Sequence, residues 1–294
     1  MGEFFEAVLD PGIPFARYAL IAGVLASLSF GIVGTYVVTR RITYIAGAIS
    51  HSVLGGIGAA LYASHELGWT WCKPIHGAVL SALLSAVVIG LVSLYGRQRE
   101  DTIIGSIWAI GMAVGLLFIG ATAGYVDPMS YLFGNILLIG RHDLWLIAGL
   151  DIFVIGLSVL FYNKLQAVCF DEEFARLRGL RVERYYLLLL CLTALTVVLL
   201  VTVVGIVMVV ALLTLPAAVA GLFARRMWQM MVLSVAFSLL FTVAGVGCSF
   251  VYDLSTGPTI IVIAGVVYLV VSVSGRFWHG RRLWRARHRQ LSRM

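Results

Sequence analysis

Stretches of about 20 apolar residues, enough for a helix to cross a bilayer, recur along this chain at 15–38, 43–63, 74–95, 103–121, 144–162, 185–204, 206–224, 229–250 and 259–275. Inside lipid only a helix or a closed barrel satisfies its own backbone. The sequence therefore predicts an all-α, polytopic helical membrane protein with eight or nine transmembrane helices. A single transmembrane domain over 1–275 leaves little chain for a soluble one. Composition agrees: of 294 residues, 61% are hydrophobic and only 12% charged, and the mean hydropathy is +1.00, outside the range of ordinary soluble domains. Residues 1–11 carry Glu3, Glu6 and Asp10 and lack a basic start or a small-residue cleavage site, so the first span is expected to be retained. Tyr131 to Ile139 is too short to span. It reads as a re-entrant or interfacial helix, tolerated where protein or a watery cavity covers its backbone.

The net charge of +7 would suggest nucleic acid until it is located. Arg276, Arg281, Arg282, Arg285, Arg287, Arg289 and Arg293 form a basic tail over 276–294; without them 14 basic residues stand against 14 acidic ones. Such a tail belongs on the cytoplasmic side, beside anionic headgroups, and nucleic acid is not expected as a partner. Arg40-Arg41, Arg97 and Arg99, the stretch 164–184, and Arg225-Arg226 fall on that same side when nine spans are counted from an external N-terminus. Cys72, Cys169, Cys191 and Cys248 show no paired spacing and imply neither a disulfide framework nor a metal cluster.

Transport needs an energy source. A phosphate-binding loop requires Gly-Lys followed by Ser or Thr, but the only lysines, Lys73 and Lys164, follow Cys72 and Asn163. Either a partner hydrolyses ATP or an ion gradient drives the process. Gradient-driven carriers place ionisable groups inside the membrane, and here those are few, His51 and Asp151. That favours an external motor. No HExxH pair is present, His65-Glu66 having no histidine four residues after the first, so an intramembrane metal-dependent hydrolase is not expected.

His51 is the most informative residue, because an imidazole in an apolar helix is a functional candidate and a common ligand for first-row metals. Gly47, His51, Gly55 and Gly58 share one helix face by steps of four, four and three, which lets a neighbouring helix or a permeating ion approach. His51 is read either as a pathway ligand or gate for metal, or as a packing histidine bonded to backbone carbonyls or to Ser50 or Ser52. His65, Glu66 and His76 flank one external loop, as a weak metal-collecting mouth or as ordinary loop polarity. Asp127, Asn135, His142, Asp143 and Asp253 fit capping and turn duties. The segment Phe170 to Leu180 places acids first, arginines after and Gly179 at its end, which reads as a short surface helix aligned with its dipole.

Four segments in register carry a resemblance: Arg40 to Gly56, Glu100 to Gly105, Phe170 to Leu180, and Val204 to Ala218 with its Leu215-Pro216. Their order and spacing resemble the permease family of ABC importers for zinc, manganese and iron, over essentially 15–275. More distantly, Gly205 to Pro216 and Leu254 to Pro258 resemble the vitamin and siderophore importers, and imply that bundle. The resemblance implies a multi-pass protein of the bacterial cytoplasmic (inner) membrane with its C-terminus inside. Two copies, or one with a related permease, would surround a central pathway. Each would dock on a cytoplasmic ATP-binding subunit and be fed by an extracytoplasmic metal-binding protein. The chain itself is then no enzyme: ATP is bound by the partner, no cofactor is held permanently, and the cargo is a divalent metal. The docking helix is expected in about Ala217 to Met230, with Ala217, Arg225, Arg226 and Trp228 as coupling residues and the Phe170 to Leu180 helix supporting it. Many members carry an acidic residue four positions before the histidine matched by His51, where this chain has Gly47. Loss of that carboxylate weakens hard manganese more than zinc, which leans the expectation to zinc. The alternative is a gradient-driven metal carrier or channel that works alone.

Overall fold

The computed structural model describes residues 14–96, 99–123, 128–134 and 140–291. Among them are twelve helices: α1 (Pro14–Arg40), α2 (Thr43–His65), α3 (Pro74–Tyr95), α4 (Glu100–Ala121), α5 (Pro128–Phe133), α6 (Arg141–Leu160), α7 (Tyr162–Phe170), α8 (Glu172–Leu177), α9 (Val182–Val204), α10 (Ile206–Phe223), α11 (Met227–Tyr252) and α12 (Thr256–Leu291). Eight of them, α1 to α4, α6, α10, α11 and the 256–274 part of α12, are long and apolar enough to cross a membrane.

Side-chain contacts give the helices their directions. Ser29 donates to Asp151, and one heptad later the Tyr36 hydroxyl donates to the Ser158 carbonyl at 3.0 Å. Both partners advance together, so α1 and α6 run parallel. With α2, α3 and α4 between them, α6 is the fifth crossing, and α5 does not cross. Glu66 reaches Ala123 and Tyr18 reaches Arg141 at one end of the bundle. At the other end Arg40 pairs with Glu172, Ser93 meets Tyr186, and Thr39 lies beside Met230. The 23-residue α9 starts at this second end, where Tyr186 meets Ser93.

The bundle is centred on α2, of whose apolar window 78% is buried against 17% for the peripheral α4. The core fills with Phe30, Tyr36, Ile49, Leu54, Leu189, Leu190 and Phe241, all below 2% exposed. Gly205, at φ 86, lets α9 turn directly into α10, a conformation only glycine adopts freely. The short α5 docks at this break. A Cβ on Gly205 would come 2.7 Å from the Leu132 carbonyl oxygen, and one on Gly257 2.5 Å from that of Phe133. The C-terminal end of α5 thus packs against the backbone of the α9–α10 turn and of α12. Residues 135–139 of the expected re-entrant stretch lie outside the described residues.

Candidate functional site

The site is built where α2 and α4 approach each other through glycine. A Cβ on Gly55 would stand 2.8 Å from the Gly111 carbonyl oxygen, and one on Gly58 2.5 Å from that of Gly115. Backbones this close require small residues, which is how helices pack in lipid without a hydrophobic driving force. Gly55 and Gly58 of the expected stripe thus pack on the α4 backbone, Gly47 packs on the Trp108 side chain, and His51 stands between them.

His51 is half-buried, and its Nδ1 lies 2.9 Å from the Gly47 carbonyl oxygen. A carbonyl can only accept, so Nδ1 carries the proton and Nε2 presents its lone pair. Nε2 is one of the two nitrogens through which a neutral imidazole ligates metal. The imidazole stacks on the indole of Trp108 from α4, with centroids 4.3 Å apart and planes inclined by 23°. The Tyr44 ring also contacts this indole, with centroids 5.7 Å apart. A recess of about 330 Å³ flanks the stripe, lined by Ser52, Gly55, Ser81, Ser85, Ile107 and Gly111, with Ser85 donating to Ser52 at 2.8 Å. Neither serine binds the His51 ring: Ser50 and Ser52 return to α2 carbonyls.

No cluster of three or more His, Cys, Asp or Glu side chains occurs among the described residues. Glu66 accepts from the Ala123 amide at 2.8 Å, and His76 Nδ1 bonds the Trp71 carbonyl at 2.9 Å. These residues fasten the α2–α3 loop to the end of α4 and to itself. Asp143 accepts from the Gly140 amide at 3.0 Å, the capping duty expected of it. Asp253 closes α11 in the left-handed region at φ 50. Asp127, Asn135 and the His142 side chain lie outside the described residues.

The residues expected to couple to a partner lie at the opposite end of the bundle. Residues 217–230 hold no helix of their own: α10 runs to Phe223, residues 224–226 turn, and α11 begins at Met227. Three linking residues leave no chain for a separate helix. Ala217 is wholly buried inside α10 and touches no external surface. Arg225, Arg226 and Trp228 are exposed there. The surface helices are α7 and α8, where Asp171 caps α8 by accepting from Phe174 N at 2.9 Å and Gly179 follows it at φ 78. Phe170, Phe174 and Leu177 stand exposed on them. Arg40 anchors α8 through Glu172 and lies over the Tyr186 ring.

Residues 13–275 match the family model described as the ABC 3 transport family. The chain belongs to that family. A membrane protein of Synechocystis, slr2045, is 40% identical to it over 87% of this chain and 89% of that protein. The manganese transport system membrane protein MntC of Halalkalibacterium halodurans is 32% identical over 95% of both. Among solved structures, PsaBC from Streptococcus pneumoniae in complex with Fab superposes with a TM-score of 0.81 at 29% identity, covering 92% of this chain and 94% of that one. This ABC 3 member is thus an all-helical transmembrane transport protein, as its sequence predicts.

Trp108 is the functional candidate that sequence reasoning missed. Its signal was present, since Trp108, Gly111 and Gly115 share a face at helical spacing. What the sequence lacked was the knowledge that this face meets α2.

Proposed function

We propose that this chain is the permease subunit of an ATP-driven importer that carries a divalent first-row metal into the bacterial cytoplasm. The observation that carries the reading is His51: an imidazole with Nε2 available, flanked along its own membrane-spanning helix by Gly47 and Gly55. One exchangeable nitrogen suits conduction, which needs sites weak enough to release the ion. The manganese assignment of the MntC relative supports a transition metal as cargo. The absence of a carboxylate at Gly47 supports zinc above manganese, because zinc accepts imidazole where manganese prefers oxygen.

Orientation follows from charge. Arg40, Arg41, Arg99, Lys164, Arg176, Arg178, Arg225 and Arg226 gather at the end of the bundle that carries α7 and α8, the end the positive-inside rule assigns to the cytoplasm. The ATP-binding subunit docks on that end. Exposed Phe174 and Leu177 supply apolar contacts, with Arg225, Arg226 and Trp228 beside them. A second permease and an extracytoplasmic metal-binding protein complete the transporter.

The test is radioactive zinc and manganese uptake by proteoliposomes holding this chain, with and without its ATP-binding subunit and binding protein. Uptake that needs ATP and all components, and is lost in His51→Ala, is the expected result. Uptake by the chain alone would replace the importer with a gradient-driven carrier.

A further inference from the structure

Gly47, His51 and Trp108 form one packed unit rather than three separate features. The Gly47 carbonyl fixes the His51 ring through Nδ1 at 2.9 Å. The Trp108 indole lies against the opposite part of that glycine: a Cβ built there would stand 2.8 Å from its Cζ3 and 3.1 Å from its Cη2. The same indole stacks on the imidazole it helps to hold. A glycine at 47 is thus a condition for the indole to lie where it does. A side chain at that position would require the indole edge to move.

We propose that Trp108 sets the metal preference of the pathway, by occupying the volume beside His51 that a ligating side chain at position 47 would need. The inference rests on the reading of His51 as a pathway residue and adds a cause for its selectivity. With the indole in place, a cation at Nε2 meets one nitrogen beside a stacked aromatic ring, and position 47 offers it no oxygen anion. An aromatic face attracts cations electrostatically, so the ring lowers the cost of bringing a divalent ion to this point without binding it tightly. A carboxylate would select hard, oxygen-seeking ions such as manganese; an imidazole backed by a π face favours borderline zinc. Trp108 also restricts the imidazole's rotation, as supporting residues do around metal-binding histidines. It is a positioning and specificity residue, with His51 as the ligand.

The experiment is a double-substitution cycle in the assembled transporter, with radioactive zinc and manganese as the probes. Gly47→Asp alone is expected to lower both uptake and thermal stability, since the carboxylate collides with the ring. Trp108→Leu removes the ring, and Gly47→Asp with Trp108→Leu is expected to recover stability and to shift the manganese-to-zinc uptake ratio toward manganese by roughly 10-fold or more, the scale of effects around metal ligands. Trp108→Phe keeps an aromatic face and is expected to keep the wild-type ratio. Additive stability effects, or an unchanged ratio in the double variant while His51→Ala still abolishes uptake, would overturn the role of Trp108 and leave the pathway intact. If His51→Ala transports normally, the pathway reading falls, and this inference with it. Should the double variant fail to fold, a ratio unchanged in Trp108→Leu alone overturns the proposal by itself.

Discussion

The carboxylate of Asp151 on α6 accepts a hydrogen bond from Ser29 on α1 in the interior of the bundle, while its second oxygen is buried with no partner. Asp151 is 2% exposed and lies in an apolar span. Stranding a buried polar group costs about 1–3 kcal/mol, whereas replacing both partners by apolar groups of like shape is nearly neutral. Ser29→Ala is therefore expected to destabilise the protein by about that amount, and Ser29→Ala with Asp151→Leu to return close to wild type. Thermal unfolding in detergent measures this. A double variant worse than Ser29→Ala would mean that the acid contributes more than this one contact.

Two glycines of the bundle should respond in opposite directions. At Gly58 a methyl group meets the Gly115 carbonyl, a backbone atom that cannot turn aside. Gly58→Ala should cost about 1–3 kcal/mol, as overpacking does. Gly120, near the end of α4, has nothing within 4 Å of a built Cβ, so Gly120→Ala should gain about 0.5–1 kcal/mol from helix propensity alone. Equal effects at the two sites would refute the close α2–α4 contact.

Arg40 joins the end of α1 to α8 through Glu172, and its Nε is buried without a partner. Both side chains keep some solvent, 26% and 32%, so the pair lies between exposed bridges and buried ones. Glu172→Ala should cost about 1–2 kcal/mol, and it should loosen α8 locally. Hydrogen exchange of the amides of α8 is the direct readout. Unchanged protection there would mean that Asp171 capping and the Arg176–Glu183 pair hold the helix without it.

Cys169 on α7 is 6% exposed and lies under the Tyr36 carbonyl, and burial pushes its thiol up to about 12. The thiolate is the reactive form. Near neutral pH the folded protein should leave Cys169 unlabelled by a maleimide while the half-buried Cys72 of the external loop reacts. The unfolded chain loses this proton near the ordinary thiol value of about 8.5, before the folded chain does. The stability linked to Cys169 is therefore complete below that pH and declines as pH rises towards about 12. Quantitation of labelled peptides by mass spectrometry decides it; rapid labelling of Cys169 in the native state would show that α7 opens.

The sequence by itself determined the number of apolar crossings to within one, the basic end of the bundle, the short helix at 170–180 and the glycine stripe leading to His51. These are local properties: hydropathy over about 20 residues, charge at span ends and helical spacing each need only neighbouring residues. At 217–230 the local signals left the form of the backbone open. Pro216 and the arginines mark a membrane exit equally well for a surface helix and for the tight turn that occurs there. Only the tertiary structure decided that α4 covers α2, that Trp108 lies over Gly47, that Ser29 reaches Asp151 across 122 residues, and that Arg40 holds α8. In lipid no hydrophobic force chooses between apolar faces, so partners are selected by shape and by rare polar contacts. Both depend on atoms far apart in the chain, and neither is written in any one stretch of it.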